Sequence, residues 1–154
     1  MDQIDRAILA ELQASGRLPM VELARRVNLT KTPCTERVKR LERSGVIAGY
    51  RAVLDPVALD AAHVAFVQVL LSSTTADALR RFNAAVREIA EVQSCHMIAG
   101  DFDYLLKVRS RDIHDYRAVL GDCISLLPHV QQTHTYVVME DVKDEATLPL
   151  RRRG

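Results

Sequence analysis

Cysteine is scarce in this chain and nowhere arranged for chemistry. Of 154 residues only Cys34, Cys95 and Cys123 are cysteine, odd in number and widely spaced. No C-x-x-C pair occurs, and each cysteine falls inside an apolar pattern. They read as small buried hydrophobes in a reducing compartment, not as a disulfide framework. The five histidines are scattered, and in the adjacent pair Cys95-His96 the side chains would point to opposite faces of a strand. That pattern argues against zinc. Apolar runs long enough to span a bilayer, roughly 20 residues, are also missing. The N-terminal MDQIDRAILAELQ is amphipathic and acidic, unlike a secretory leader, so a cytoplasmic location is expected. Nucleophile motifs, metal-ligand spacings and phosphate-binding glycine loops are absent as well. Neither an enzyme nor a bound cofactor is therefore expected.

What is present is an ordinary globular composition, 48% hydrophobic and 27% charged. The length allows one domain or two small ones. The formal charge of +1 conceals an asymmetry. Residues 1–54 hold ten Lys and Arg against six Asp and Glu, a net of +4; residues 55–154 hold eleven against fourteen, a net of −3. A basic front and a slightly acidic back suit one nucleic-acid module joined to a module of another kind.

The front is organised around LARRVNLTKTPCTERVKRLERSG, residues 23–45. Leu23, Ala24 and Val27 form a short helical face, and a new apolar phase runs through Cys34, Val38 and Leu41. Between them Asn28 can take the left-handed backbone of a sharp turn. Thr30 or Thr32 can cap the next helix, and Pro33 is tolerated in a first turn. An earlier helix carries Ile4, Ile8, Leu9 and Leu12 inward, with Asp2 or Asp5 favourable near its start. The expected unit is a trihelical helix-turn-helix, its third helix running from about Lys31 to Ser44 and closed by Gly45. Val46 to Val53 reads as extended chain, a wing or a linker, and Asp55-Pro56 marks the domain boundary.

The third helix holds five cations in thirteen residues, Lys31, Arg37, Lys39, Arg40 and Arg43, against Glu36 and Glu42. A solvated face of surface ion pairs would look the same and would contribute only tenths of a kcal/mol per pair. Behind a capped turn the pattern favours a recognition helix. Lys31, Thr32 and Thr35 would reach base edges, while Arg37, Lys39, Arg40 and Arg43 complete the DNA-binding set.

Residues 55–154 alternate strands and helices. Strands are expected at 63–72, 92–99, 104–109 and 130–140, with helices at 75–90 and from Asp112 through Cys123. The order βαββαβ is the ferredoxin-like split βαβ pattern, giving an α+β chain overall. On the first strand Val64, Phe66 and Leu70 alternate with Ala65, Val67, Val69 and Leu71, so both faces are apolar. A second copy of the chain is the expected cover for the face without helices, and a homodimer would present two recognition helices to a palindromic site.

With these residues in view, the chain resembles the Lrp/AsnC (feast/famine) family, leucine-responsive regulatory protein-like. The resemblance rests on IDRAILAELQASGR, VELARRV and TPCTERVKRLERSGVIAGY in the front, and on VQSCHMIAGDFDYLLKV, DYRAVLG and TYVVMEDVK in the back. It spans essentially the whole length. It implies a winged N-terminal DNA-binding domain in 1–54, a ferredoxin-like domain in 55–154 that senses amino acids, and dimers assembling further, often to octamers. Departures are mild: Asn28 stands where the family often has glycine, and Thr30-Lys31 where it often has Ser-Pro. The charge on Lys31 bears on the operator sequence, not on the fold.

The resemblance also implies an effector site. Gly100-Asp101-Phe102-Asp103-Tyr104 is similar to the family's ligand loop, and Met97, Tyr136, Val137 and Val138 match positions tied to leucine-like effectors. Asp101 or Asp103 would accept the ammonium of a free amino acid, loop N–H groups around Gly100 its carboxylate, and Met97 with Val138 its side chain. G-D-F-D between strands is also simply a good turn. The expected function is a sequence-specific regulator of amino-acid metabolism genes, modulated by leucine or proline between dimers. The alternative is an architectural DNA-binding protein with no small-molecule effector. An enzyme using His96, Asp101, Asp103 and Tyr104 is a further rival. The terminal Arg151-Arg152-Arg153 reads as a solubilising tail.

Overall fold

A computed structural model describes residues 1–150 of the chain; the arginine tail lies outside them. The first helix, α1 (Gln3–Ala14), opens on a capping box. The Asp2 carboxylate accepts the Asp5 N–H at 2.8 Å, and the Asp5 carboxylate accepts the Asp2 N–H at 3.0 Å. Two backbone donors that no helix can satisfy internally are thereby paired. Helix α2 (Met20–Arg26) and helix α3 (Lys31–Arg43) follow. Ile8, Leu9, Leu23, Ala24, Val27, Cys34, Val38 and Leu41 form their shared core, as the two apolar phases predict.

The turn between α2 and α3 uses Asn28 at φ 56°, and α3 ends on Gly45 at φ 72°. Both are left-handed positions, where an ordinary side chain is strained. The expected threonine cap is only half realised. Thr30 occupies the N-cap with extended backbone, but its hydroxyl caps nothing, and Thr32 lies inside the first turn. After Gly45 no strand forms before His63. The Tyr50 hydroxyl turns back to Glu42 at 2.9 Å, and its ring reaches the neighbourhood of Gly16.

In the second unit β1 (His63–Leu71), α4 (Ala76–Val86), β2 (Val92–Met97), β3 (Tyr104–Ser110), α5 (Ile113–Asp122) and β4 (Val130–Val137) occur in the expected βαββαβ order. Thr75 and Asp112 cap α4 and α5 with their side chains. The sheet runs β2-β3-β1-β4 and all its pairs are antiparallel, so β3 is inserted between β1 and β2. Ala65, Val67, Val69 and Leu71 face the helices and pack with Phe82, Val86, Leu106, Val108, Tyr116 and Ile124. The β1 register sends Phe66, Gln68 and Leu70 to the other face, beside Leu105 and Lys107 of β3 and His134 and Tyr136 of β4. That face is therefore more mixed than β1 alone implies.

The chain divides into two compact units, and the division is not a single cut. The first unit takes Met1–Val53 and also the described residues from Lys143 onward; the second is Leu54–Val142. The division expected at residue 55 assigns all of 55–154 to the ferredoxin-like domain, whereas the last segment groups with the helices. Gln13 explains why: its side-chain amide accepts the Leu148 N–H at 2.7 Å and donates to the Leu148 carbonyl at 3.2 Å, while Leu150 packs on the helical core. No helix among the described residues is long and apolar enough to cross a membrane.

Replacing Asn28 by glycine should leave the melting temperature close to that of the parent. Asn28→Val, which places a β-branched side chain at φ 56°, should cost roughly 1–2 kcal/mol. Thermal unfolding of the two variants side by side measures the difference.

Candidate nucleic-acid interface and effector site

Helix α3 buries Cys34, Val38 and Leu41, and this stripe fixes what the rest of the helix presents. Lys31, Thr32, Glu36, Lys39, Arg40 and Arg43 are exposed, while Thr35 and Arg37 are half-buried. Lys31 and Arg43 carry no ion pair among the described residues, and Lys39 meets only Glu36, at 3.6 Å. An exposed pair at that distance is weak and releases its cation readily. The Thr35 hydroxyl donates to its own helix at the Lys31 carbonyl, 2.8 Å away, a bond it must exchange to reach a base.

Arg37 and Arg40 are placed differently from the other cations. Arg37 Nη1 donates to Asp2 at 2.6 Å and to Asp5 at 2.8 Å. Arg40 Nη2 lies 2.7 Å from both oxygens of Asp5. Asp5 is 1% exposed. Its carboxylate is thus buried against α3 with two guanidinium groups and a backbone N–H for partners, the arrangement a buried charge needs. Arg25 and Arg26 of α2 are likewise committed, to Glu22 and Glu11. Sequence reasoning saw Asp5 only as an acid near a helix start. The signal was there: Asp5, Leu9 and Leu12 fall at i, i+4 and i+7, which places the carboxylate on the buried stripe.

The effector candidates do not converge within one chain. Met97 pairs with Tyr104 across β2 and β3, and Gly100, Asp101 and Asp103 lie in the connection between those strands. Tyr136 and Val137 belong to β4, the opposite edge of the sheet, with Val138 just beyond it. Three inter-strand steps and three residues of rise separate Met97 from Tyr136, about 17 Å. Tyr136 pairs with Phe66 and Val137 with Ala65, so these two side chains leave opposite faces. Asp103 is partly spent: its Oδ2 accepts the Leu71 N–H at 2.7 Å, tying the loop to the end of β1. Asp101 is fully at the surface. Gly100 takes no left-handed angle, and an added Cβ would meet only Ile98, at an ordinary 3.6 Å. Met97, Tyr136 and Val137 are each about half exposed, at 57%, 52% and 48%.

Residues 1–48 match the family model of winged helix-turn-helix DNA-binding domains, and residues 64–148 match that of the Lrp/AsnC ligand binding domain. The chain belongs to the Lrp/AsnC family. It is 54% identical over 145 residues to the proline dehydrogenase transcriptional activator of Rhodobacter capsulatus, covering 94% of each chain. It is 51% identical over 153 residues to the leucine-responsive regulatory protein of Salmonella typhimurium, covering 99% of this chain and 93% of that one. Among solved structures, a transcriptional regulator of Neisseria meningitidis in complex with L-Met superposes with a TM-score of 0.93 at 35% identity, over 97% of both chains. An AsnC family regulator from Agrobacterium tumefaciens gives 0.94 at 36% identity, again over 97% of both. As an Lrp/AsnC protein the chain is a transcriptional regulator with a DNA-binding winged helix-turn-helix and a ligand-binding domain.

In this Lrp/AsnC chain the α1 cap is also an acid-sensitive point. The Asp5 N–H, and after it the Arg37 guanidinium, pull the Asp2 carboxyl down to about 2 from its ordinary 3.8. Arg25 and Arg26 do the same to Glu22, lowering it from 4.5 to about 2. A carboxyl lowered by folding adds stability that is fully present above its unfolded value and is lost as pH falls through the folded one. The helical unit should therefore hold its stability down to about pH 4.5 and lose it progressively toward pH 2. Denaturant unfolding across that range, with carboxyl titration of Asp2 by NMR, checks both the window and its sign.

Proposed function

We propose that this regulator binds duplex DNA through α3, presented in duplicate by paired copies, and that a free amino acid seated between copies of the ligand-binding domain changes that binding. The observation that carries the DNA half is the face of α3. One stripe is wholly buried, while Lys31, Thr32, Lys39 and Arg43 stand exposed together on the rest. Lys31, Thr32 and Thr35 are assigned to base edges, Lys39 and Arg43 to phosphates. Regulation of amino-acid metabolism genes is in keeping with the names of the relatives, one a proline dehydrogenase activator and another leucine-responsive.

The pairing of copies is supported by the open face of the sheet. Phe66 and Leu70 lie there between Leu105 and Tyr136, apolar groups that no helix of the same chain covers. A site shared between copies is also the arrangement that suits the effector candidates, since Met97, Gly100, Asp101 and Asp103 sit at one edge of the sheet and Tyr136, Val137 and Val138 at the other. The apolar surface of Met97 and Val137 favours a leucine-like ligand or proline over a charged one. Binding coupled to DNA affinity by roughly 1–3 kcal/mol is the usual scale of such regulation.

Three outcomes are expected. Phe66→Asp, a charge on the open face, should shift the protein to monomer in sedimentation equilibrium and abolish retardation of a two-fold symmetric duplex. Thr32→Ala should alter base preference in a selection from random duplexes, by about 5- to 150-fold at one position. Calorimetric titration of the folded protein with the twenty amino acids should give heat with at least one apolar member. Silence from all twenty leaves the architectural reading, in which DNA is bound and no effector exists.

A further inference from the structure

Two of the cations on α3 are already paired, and their partners lie on a different helix. Arg37 and Arg40 stand three residues apart, and both guanidinium groups close on Asp5 of α1. Asp5 has no route to solvent, and Asp2 adds a second acceptor for Arg37 at 2.6 Å. Two carboxylates and two guanidinium groups make this cluster neutral. Of the five cations on α3, three then remain for a polyanion: Lys31, Lys39 and Arg43.

We propose that Asp5 is the positioning residue of the recognition helix. Its carboxylate clamps Arg37 and Arg40 to α1, which removes them from the phosphate-neutralising set. The same clamp sets the rotation of α3 that turns Thr32, Lys39 and Arg43 outward. This rests on the reading of α3 as the DNA-contacting element, and it reassigns two of that helix's arginines. Burial of Cys34, Val38 and Leu41 sets the gross orientation of α3, and because hydrophobic burial is non-directional it leaves small rotations about the helix axis to be fixed by other contacts. Charge-assisted hydrogen bonds at 2.6 to 2.8 Å are directional. Arg37, immediately before the buried Val38, holds one flank of the stripe, and Arg40, immediately before the buried Leu41, holds it one turn further on.

The salt dependence of DNA binding separates positioning from contact, because each phosphate neutralised adds roughly 0.9 to the slope of log affinity against log salt. The full-length protein is measured on a duplex it selects from a random pool and on a scrambled duplex of equal length. Lys39→Gln and Arg43→Gln should each lower the slope by about 0.9. Arg37→Gln and Arg40→Gln should leave the slope at the parent value while reducing the ratio of selected to scrambled affinity. Asp5→Asn keeps the shape, removes the charge and frees Arg40, while Arg37 keeps its bond to Asp2. It should steepen the slope by about 0.9, raise affinity for the scrambled duplex and shrink the ratio. A merely structural Asp5 would weaken both duplexes together without steepening the slope, and that result overturns the proposal. So does Arg40→Gln lowering the slope as much as Arg43→Gln, a comparison that stands even if Asp5→Asn fails to fold. A slope untouched by all four arginine and lysine variants removes the α3 reading itself, and the proposal with it.

Discussion

A carboxylate enclosed by a small helical core needs charged or hydrogen-bonding partners, because a buried charge without them is costly. Asp5 meets that requirement with Arg37 and Arg40, and much else in the first unit follows. Only the carboxylate end of these pairs is buried, since Arg40 is 55% exposed, so the enclosed Asp5 is the member that depends on its partners. The bonds span the start of α1 and the middle of α3, so they fix the two elements whose mutual angle decides where the recognition surface points. The capping box draws on the same two aspartates. The first turn of α1 is therefore at once a helix start, a counter-ion and a strut. Local and tertiary requirements agree there, which is how a short helical unit specifies one arrangement.

The sheet answers to a different constraint. Inserting β3 between β1 and β2 lets two helices cover one face while the other is left to residues of mixed character. Phe66 and Leu70 argue for a covering partner, whereas Gln68, Lys107 and His134 keep that face from being a uniform greasy surface. Such a mixture suits an interface that must be specific in register as well as adhesive. Asp103 shows how tightly the connection after β2 is held: it caps the end of β1 through Leu71 and bridges back to Val69 through its own N–H. A connection anchored in this way keeps its exposed members, Gly100 and Asp101, on a fixed base.

Much of this was legible in the residues, for identifiable reasons. Apolar spacing at i, i+4 and i+7 placed Cys34, Val38 and Leu41 inward, and Asn28 and Gly45 marked turns because few other residues accept positive φ. The βαββαβ order followed from alternation and from the cap at Asp112, while Thr75, expected as the first helical residue, is the N-cap of α4. What stayed hidden was long-range and polar. The pairing of Asp5 with arginines more than thirty residues away leaves no local trace, since a charge pattern shows which groups are available and not which ones meet. The Asp103 to Leu71 bond and the Gln13 to Leu148 clasp are hidden for the same cause. The effector residues form a set through family resemblance alone; within one chain β4 and the loop before β3 lie at separate edges.

The clasp between Gln13 and Leu148 has a topological consequence. The polypeptide passes from one unit to the other after Val53 and returns after Val142, so the helical unit is assembled from two separated stretches of sequence. A piece ending before Lys143 lacks Leu150 on its helical core and the amide pairing between Gln13 and Leu148.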